Sequence, residues 1–240
     1  MTPMPANSTA ASVAPRSSSL VAKLFDMLVY PGAVFDEVVA APPRFTNWLV
    51  PTVLVALASL VLLRAANNET PPATATSQAG EVQAASIDSA VAHTEPASAD
   101  YQRFSALVTC GGAFVGTFWT AFLIWLIGRA FLRARFSYLK TVEVVALAGS
   151  VVVLGAIVTA LLVTAFANPA ARPALSIFAL RLPADDHVRL VLDTVNFFHL
   201  WTITVLAIGL SRLSGVSFRE SAFWVFGYWL VARVVLILLA

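Results

Sequence analysis

The chain has 240 residues, of which 59% are hydrophobic and only 12% are charged, and its mean hydropathy is +0.82. Soluble domains are roughly half apolar and about a quarter charged, so this composition excludes a water-soluble fold and indicates an integral membrane protein. The net charge of +2 is too small to suggest a nucleic-acid partner, and the single cysteine, Cys110, excludes an intramolecular disulfide and a multi-cysteine metal site.

The N-terminal residues 1–18 are small, polar and proline-bearing, a composition that predicts a disordered tail. They lack the apolar core of a signal peptide, so we expect the first membrane span to serve as an uncleaved signal anchor. In the chain as given, folded structure is therefore expected to begin near residue 19.

Residues 19–40 are predicted to form an amphipathic segment on the cytoplasmic face of the membrane. Leu20, Leu24 and Leu28 recur at helical spacing, and the Tyr30-Pro31-Gly32 sequence ends this first helix. Pro31 suits the first turn of a second short helix, in which Val34, Phe35, Val38 and Val39 face one way while Asp36 and Glu37 face water. Neither helix is long enough to cross, so both are expected to lie on the cytoplasmic face or to dock on the bundle.

The remainder, residues 41–240, is predicted to be a transmembrane domain with an all-α fold, a bundle of five membrane-spanning helices. Each apolar run is at least about 19 residues long, which at 1.5 Å per residue is enough to cross the hydrocarbon core. The predicted spans are 45–63, 104–127, 144–166, 191–210 and 221–240. Residues 64–103 are predicted to be a flexible external loop, because they are rich in alanine, threonine and proline.

The distribution of Lys and Arg predicts the orientation. Nine of these residues fall on the N-terminal side of the membrane and five on the other, and four of the nine lie in the short connector between the second and third spans. Since cytoplasmic loops carry the excess of basic residues, we expect the N-terminus in the cytoplasm and the C-terminus outside.

Two stretches resemble the Yip (Ypt-interacting protein) family in its bacterial form. The first is LFDMLVYPGAVFDEVVAAP, with a Pro31-to-Phe35 step before a span, and the second is LDTVNFFHLWTITVLAIGLSRLSGVSFRESAFWVFGYWL. The resemblance covers most of residues 19–239 and implies a cytosolic N-terminus and five spans. Eukaryotic relatives bind Rab-type GTPases and carry an Asp-Leu-Tyr-Gly-Pro motif, which is absent here.

Ionisable residues inside spans are the default functional candidates in a membrane protein, because burying them is unfavourable unless they are paired or hydrated. Asp193, Asn196 and His199 recur at three-residue spacing in the fourth predicted span, and Arg233 lies within the fifth. They predict either a polar pocket for an ion, a proton or a small substrate, or a structural Asp193–Arg233 ion pair. The structural interpretation is favoured, because the other predicted spans offer no acid.

Two further groups of residues are candidates for contacts outside the chain or between helices. The basic connector, consisting of Arg129, Arg133, Arg135 and Lys140, is expected to contact anionic headgroups or a cytoplasmic protein partner. The second group is the GxxxG pair Gly112 and Gly116, which permits close helix approach. Packing within the bundle is the favoured use of that pair over a homodimer seam.

No nucleophile, phosphate-binding or metal-ligand motif is recognisable, so we expect neither an enzyme nor a cofactor. The leading hypothesis is a non-catalytic, multi-pass protein of the inner cell membrane that organises membrane or recruits a partner at its cytoplasmic face. The alternative is a small transporter or channel component that uses the polar residues of spans four and five.

Overall fold

The computed structural model describes residues 19–68, 99–168, 171–179 and 187–239. Within these ranges the chain is helical and contains no strand, apart from one isolated bridge between Ala174 and Asn196. The helices are α1 Leu20–Val29, α2 Pro31–Ala40, α3 Phe45–Asn68, α4 Ala99–Ala130, α5 Tyr138–Phe166, α6 His187–Thr194, α7 Phe197–Ser214 and α8 Phe218–Leu239, with a 3₁₀ turn at Leu175–Ala179. The predicted tail 1–18 and most of the predicted loop lie outside the described residues.

Five of the described helices, α3, α4, α5, α7 and α8, are long and apolar enough to cross a membrane. The predicted all-α polytopic bundle is therefore confirmed. The ends of the predicted loop, 64–68 and 99–103, are helical, because α3 and α4 continue past their apolar runs. A helix satisfies its own backbone hydrogen bonds, so it does not have to end where the apolar side chains end.

The predicted fourth span, 191–210, is two helices in the structure. Helix α6 ends at Thr194, and α7 begins at Phe197 after the N-cap Asn196, whose side chain accepts from the backbone N–H groups of Phe198 and His199. Between them the backbone pairs with another segment, since the N–H of Phe197 donates to the carbonyl of Pro173 at 3.1 Å. Asparagine is a preferred N-cap residue, which favours a new helix at this position over a continuous one.

Helix α5 is the centre of the bundle and packs against α3, α4 and α7. Helices α1 and α2 also pack on it, at the end where α5 begins, and we call this pair the cap. Of the two predicted positions for the cap, the structure therefore has it docked on the bundle. Met27, Phe35 and Val38 of the cap are fully or almost fully buried and belong to the same hydrophobic core as the spans.

Glycine at position 209 allows the cap and two spans to meet. A Cβ atom there would overlap the Val144 side chain of α5 and would lie 3.2 Å from the ring of Phe35 in α2. Helix α7 can therefore approach α5 and the cap closely only because residue 209 has no side chain.

Candidate functional site

The cap is held to the bundle by a group of buried polar residues that we call the cap cluster: Lys140 and Glu143 of α5 and Asn47 of α3. The Lys140 Nζ is 2.6 Å from Glu143 Oε2 and also donates to the carbonyl of Val38 in α2 at 2.7 Å. The other carboxylate oxygen, Glu143 Oε1, accepts from the backbone N–H of Arg44 at 2.6 Å and from the Asn47 side-chain amide at 3.1 Å. The cluster thus joins α2, the start of α3 and the first turns of α5.

Glu143 has no exposed surface, and Lys140 is 9% exposed. A charge withdrawn from water is stable only when it is paired and its remaining hydrogen-bonding capacity is satisfied. Both oxygens of Glu143 have partners, and Lys140 contributes the opposite charge, so the pair is compensated within the protein. The cluster therefore fixes the position of the cap.

Two further ion pairs involve the cap. Lys23 of α1 is 3% exposed, and its Nζ lies 3.1 Å from Glu37 Oε1 of α2, which joins the two cap helices to each other. Asp36 of α2 pairs with Arg212 at the end of α7 at 3.4 Å, and both of these side chains are about half exposed. An exposed pair of this kind contributes little to stability, whereas the buried lysine depends on its partner.

The outer face of α1 is apolar. Val21, Phe25 and Val29, which are spaced by four residues, and Tyr30 after them are all largely exposed, with Phe25 at 69%. Next to this stripe is a groove of about 580 Å³ between the α1–α2 junction and the turn that joins α7 to α8. Its lining includes Val29, Tyr30, Ile208, Arg212 and Phe218. The cap therefore turns its only basic side chain inward and an apolar stripe outward.

The predicted basic connector is divided by the structure. Arg129, Arg133 and Arg135 are exposed, and the guanidinium of Arg129 lies over the ring of Trp125 at 5.5 Å. Lys140 is different, because it is buried in the cap cluster and pairs with Glu143. The expectation that Lys140 contacts headgroups or a partner is therefore corrected: its charge is paired inside the protein, in the first turn of α5.

The predicted polar site of spans four and five is also divided. Asp193 lies in α6, where its carboxylate accepts from the Ser176 hydroxyl at 2.7 Å and pairs with Arg172 at 3.3 Å. The predicted Asp193–Arg233 pair is thus replaced by contacts within the segment that precedes α7. Asn196 is used as a helix cap, as described above.

The structure does bring the other two residues of that predicted site together. The guanidinium of Arg233 in α8 lies 3.3 Å from Nε2 of His199 in α7. A guanidinium can only donate, so a hydrogen bond between these two side chains requires the ring nitrogen to accept. The ring of His199 also lies beside that of Trp229, with centroids 6.0 Å apart.

The GxxxG pair faces open space. A Cβ atom added at Gly112 or Gly116 would meet no atom of the described chain within 4 Å. Close packing occurs instead at three other glycines. An added Cβ would clash with Phe136 of the α4–α5 connector at Gly128, with Phe198 of α7 at Gly155 and with Val144 of α5 at Gly209. The favoured interpretation, packing of Gly112 and Gly116 within the bundle, is therefore not seen in this structure.

Sequence reasoning missed Glu143 and Lys23 as site residues. The predicted third span began at residue 144, which left Glu143 in a loop, although α5 begins six residues earlier than that, at Tyr138. One signal was present, since Lys140 and Glu143 are three residues apart and so lie on one face of any helix that contains both. Among the described residues, no group of three or more His, Cys, Asp or Glu side chains is arranged to hold a metal ion.

Comparison with known proteins places this architecture in a family. No curated protein and no solved structure matches the chain. The profile of the Yip1 domain matches residues 25–240, which include most of the cap and all five candidate spans. The chain therefore belongs to the Yip1 domain family of membrane proteins.

Proposed function

We propose that this protein is a non-catalytic multi-pass membrane protein whose working surface is the outer face of the cap. Through that surface it organises membrane or recruits a protein partner on the cytoplasmic side of the inner membrane. Membership of the Yip1 domain family supports the non-catalytic part of this proposal. The excess of basic residues on the N-terminal side supports the cytoplasmic location.

The observation that carries the proposal is that α1 buries its lysine and exposes an apolar stripe. A helix that faced only water would keep its lysine outside and its phenylalanine inside. Here Lys23 is almost fully buried while Phe25 is 69% exposed. The Lys23–Glu37 pair joins α1 to α2, and the cap cluster holds α2 to the bundle. An apolar stripe on a rigidly docked helix is a surface suited to binding another apolar surface.

The test uses a triple variant of the stripe, Val21→Ser, Phe25→Ser and Val29→Ser. Deleting residues 1–40 is a poorer test, because it would also remove Phe35 from the core and uncover Glu143. The triple variant leaves both in place, so we expect normal insertion and membrane levels but failure to complement a null strain. The matched control is Asp26→Ser, an exposed polar residue on the same helix, which should complement.

Complementation by the triple variant at wild-type protein levels would contradict the proposal. Protein levels are measured by immunoblotting of washed membranes, so loss of the protein is distinguished from loss of its activity.

A further inference from the structure

We infer that the partner of the α1 stripe is the bilayer itself, and that the cap is an interfacial lipid-binding element for anionic phospholipid. This inference rests on the proposed function in that it takes the outer face of the cap as the working surface. The inference goes further than the proposed function, because it chooses between the two classes of partner, membrane and protein.

The first argument is the depth at which the cap sits. The ring of Phe35 lies beside Gly209 and near Val144, which are five residues before the end of α7 and six after the start of α5. At 1.5 Å per residue, this contact is about 7–9 Å inside the ends of two candidate spans. The Phe35 side chain is therefore inserted between the ends of the membrane-crossing helices, and the contacts of Val38 with Lys140 and of Asp36 with Arg212 place α2 level with those ends.

The short connection to the first span also limits how far the cap can lie from the membrane. Helix α2 ends at Ala40 and α3 begins at Phe45, so only four residues separate the cap from a helix that enters the membrane. Fully extended, these residues reach at most about 14 Å. Arg44 within this connection is also fixed by its backbone hydrogen bond to Glu143.

An apolar face held at this depth meets the boundary between headgroups and acyl chains. Interfacial helices bury their apolar face about 5–10 Å into that boundary, and the Phe35 ring reaches a similar distance below the ends of two candidate spans. Tyr30 at the end of the stripe is a residue type enriched at membrane interfaces. The stripe of Val21, Phe25 and Val29 is therefore placed where acyl chains can cover it.

The charges at this end of the bundle match anionic headgroups. Among the described residues there, six exposed arginines stand against three exposed acids, while Lys23 and Lys140 are neutralised internally by Glu37 and Glu143. The arginines are Arg44, Arg129, Arg133, Arg135, Arg212 and Arg219, and the acids are Asp26, Asp36 and Glu220. Basic residues near a membrane surface attract anionic lipid, so the excess favours an anionic bilayer over an electrically neutral one.

Site-directed spin labelling tests the location directly, because the chain has one native cysteine, Cys110. In a Cys110→Ser background, single cysteines at positions 20–29 are labelled, and the purified full chain is placed in phosphatidylcholine vesicles with or without phosphatidylglycerol. Collision of the label with oxygen reports lipid, and collision with a water-soluble nickel chelate reports water. We expect the ratio of oxygen to nickel accessibility to peak at positions 21, 25 and 29 and to be several-fold higher for Phe25→Cys than for the adjacent control Asp26→Cys.

Phosphatidylglycerol should increase the ratio at position 25, and Arg129→Gln/Arg133→Gln/Arg135→Gln should reduce that increase. Nickel accessibility at position 25 equal to that at position 26 would overturn the inference, since the stripe would then lie in water and await a protein. A label at position 25 shielded from both reagents would also overturn it, because the stripe would then be covered by protein. A ratio unaffected by phosphatidylglycerol would overturn the requirement for anionic lipid.

Different experimental results would contradict the inference and the proposed function. A lipid-seated stripe whose triple serine variant still complements the null strain would contradict the proposed function alone. A water-exposed stripe whose serine variant fails to complement would contradict only the inference.

Discussion

Glu143 is the residue through which the cap, α3 and α5 are connected. Replacing it with alanine removes the acceptor of three donors and leaves the buried ammonium of Lys140 without its counter-charge. Breaking a buried pair in this way costs about 3–5 kcal/mol, so we expect Glu143→Ala to lower the free energy of unfolding in detergent by that amount. The control is Glu220→Ala, an exposed residue in the first turn of α8, which should change it by less than about 0.5 kcal/mol.

A double variant separates the charge from the hydrogen bonds. Glu143→Gln keeps an oxygen that can accept from Arg44 and Asn47 but removes the negative charge, which leaves Lys140 uncompensated. Adding Lys140→Met removes that cation, so the double variant should be more stable than Glu143→Gln alone by about 1–3 kcal/mol. Equal stability of the single and double variants, measured by unfolding in mixed detergent, would show that the charge of Lys140 does not matter here.

Gly209 and Gly112 form a matched pair of glycines with opposite surroundings. Alanine at position 209 would press against Val144 and the ring of Phe35, and such overpacking costs about 1–3 kcal/mol. Alanine at position 112 meets open space, so Gly112→Ala should change stability by less than about 0.5 kcal/mol. The midpoints of thermal unfolding in mild detergent test both expectations. A loss of self-association in Gly112→Ala, measured by light scattering, would instead support the homodimer seam.

At the scale of elements, the docking of the cap is tested by two phenylalanines. Phe35 of α2 is fully buried, whereas Phe25 of α1 is 69% exposed. Truncating a buried phenylalanine costs about 3–5 kcal/mol, so Phe35→Ala should destabilise the whole bundle, while Phe25→Ala should leave its stability in detergent nearly unchanged. Protease susceptibility of residues 19–40 provides a second measurement, which should rise only for Phe35→Ala. Similar effects of the two variants would argue against the docked cap.

The number and approximate positions of most helices could be predicted from the sequence. The apolar runs predicted five spans, and the spacing of Leu20, Leu24 and Leu28 together with Pro31 predicted two short helices before them; the structure has both features. These predictions succeed because length and periodicity are local properties of the chain. The break before α7 was missed because Asn196 can cap a helix or lie within one. The choice depended on the pairing of Phe197 with Pro173, which is distant in sequence.

The candidate site was harder to predict than the spans, for a related reason. The sequence indicated that Lys140 and Glu143 are close to each other but not that α2 and α3 would enclose them. The spacing of the leucines in α1 gave no reason to expect Lys23 inside, but in the structure the helix is rotated so that Lys23 meets Glu37. Such rotations are decided by partners far along the chain.

At the scale of the whole molecule, the remaining prediction concerns orientation. The five candidate spans of the described residues predict that the two termini lie on opposite sides, and the basic residues predict that the cap end faces the cytoplasm. In a bacterial host, a C-terminal alkaline phosphatase fusion should therefore be active and a C-terminal green fluorescent protein fusion dark.

The N-terminal fusions provide the matched control, since green fluorescent protein placed before Met1 should be bright. The result matters for function, because the arginines of the cap end can meet the anionic headgroups of the cytoplasmic leaflet only in this orientation. A fluorescent C-terminal fusion would show that the membrane orientation is the opposite of the predicted one. It would place the apolar stripe of α1 and the exposed arginines around it on the outer side of the membrane, where the proposed cytoplasmic role could not operate.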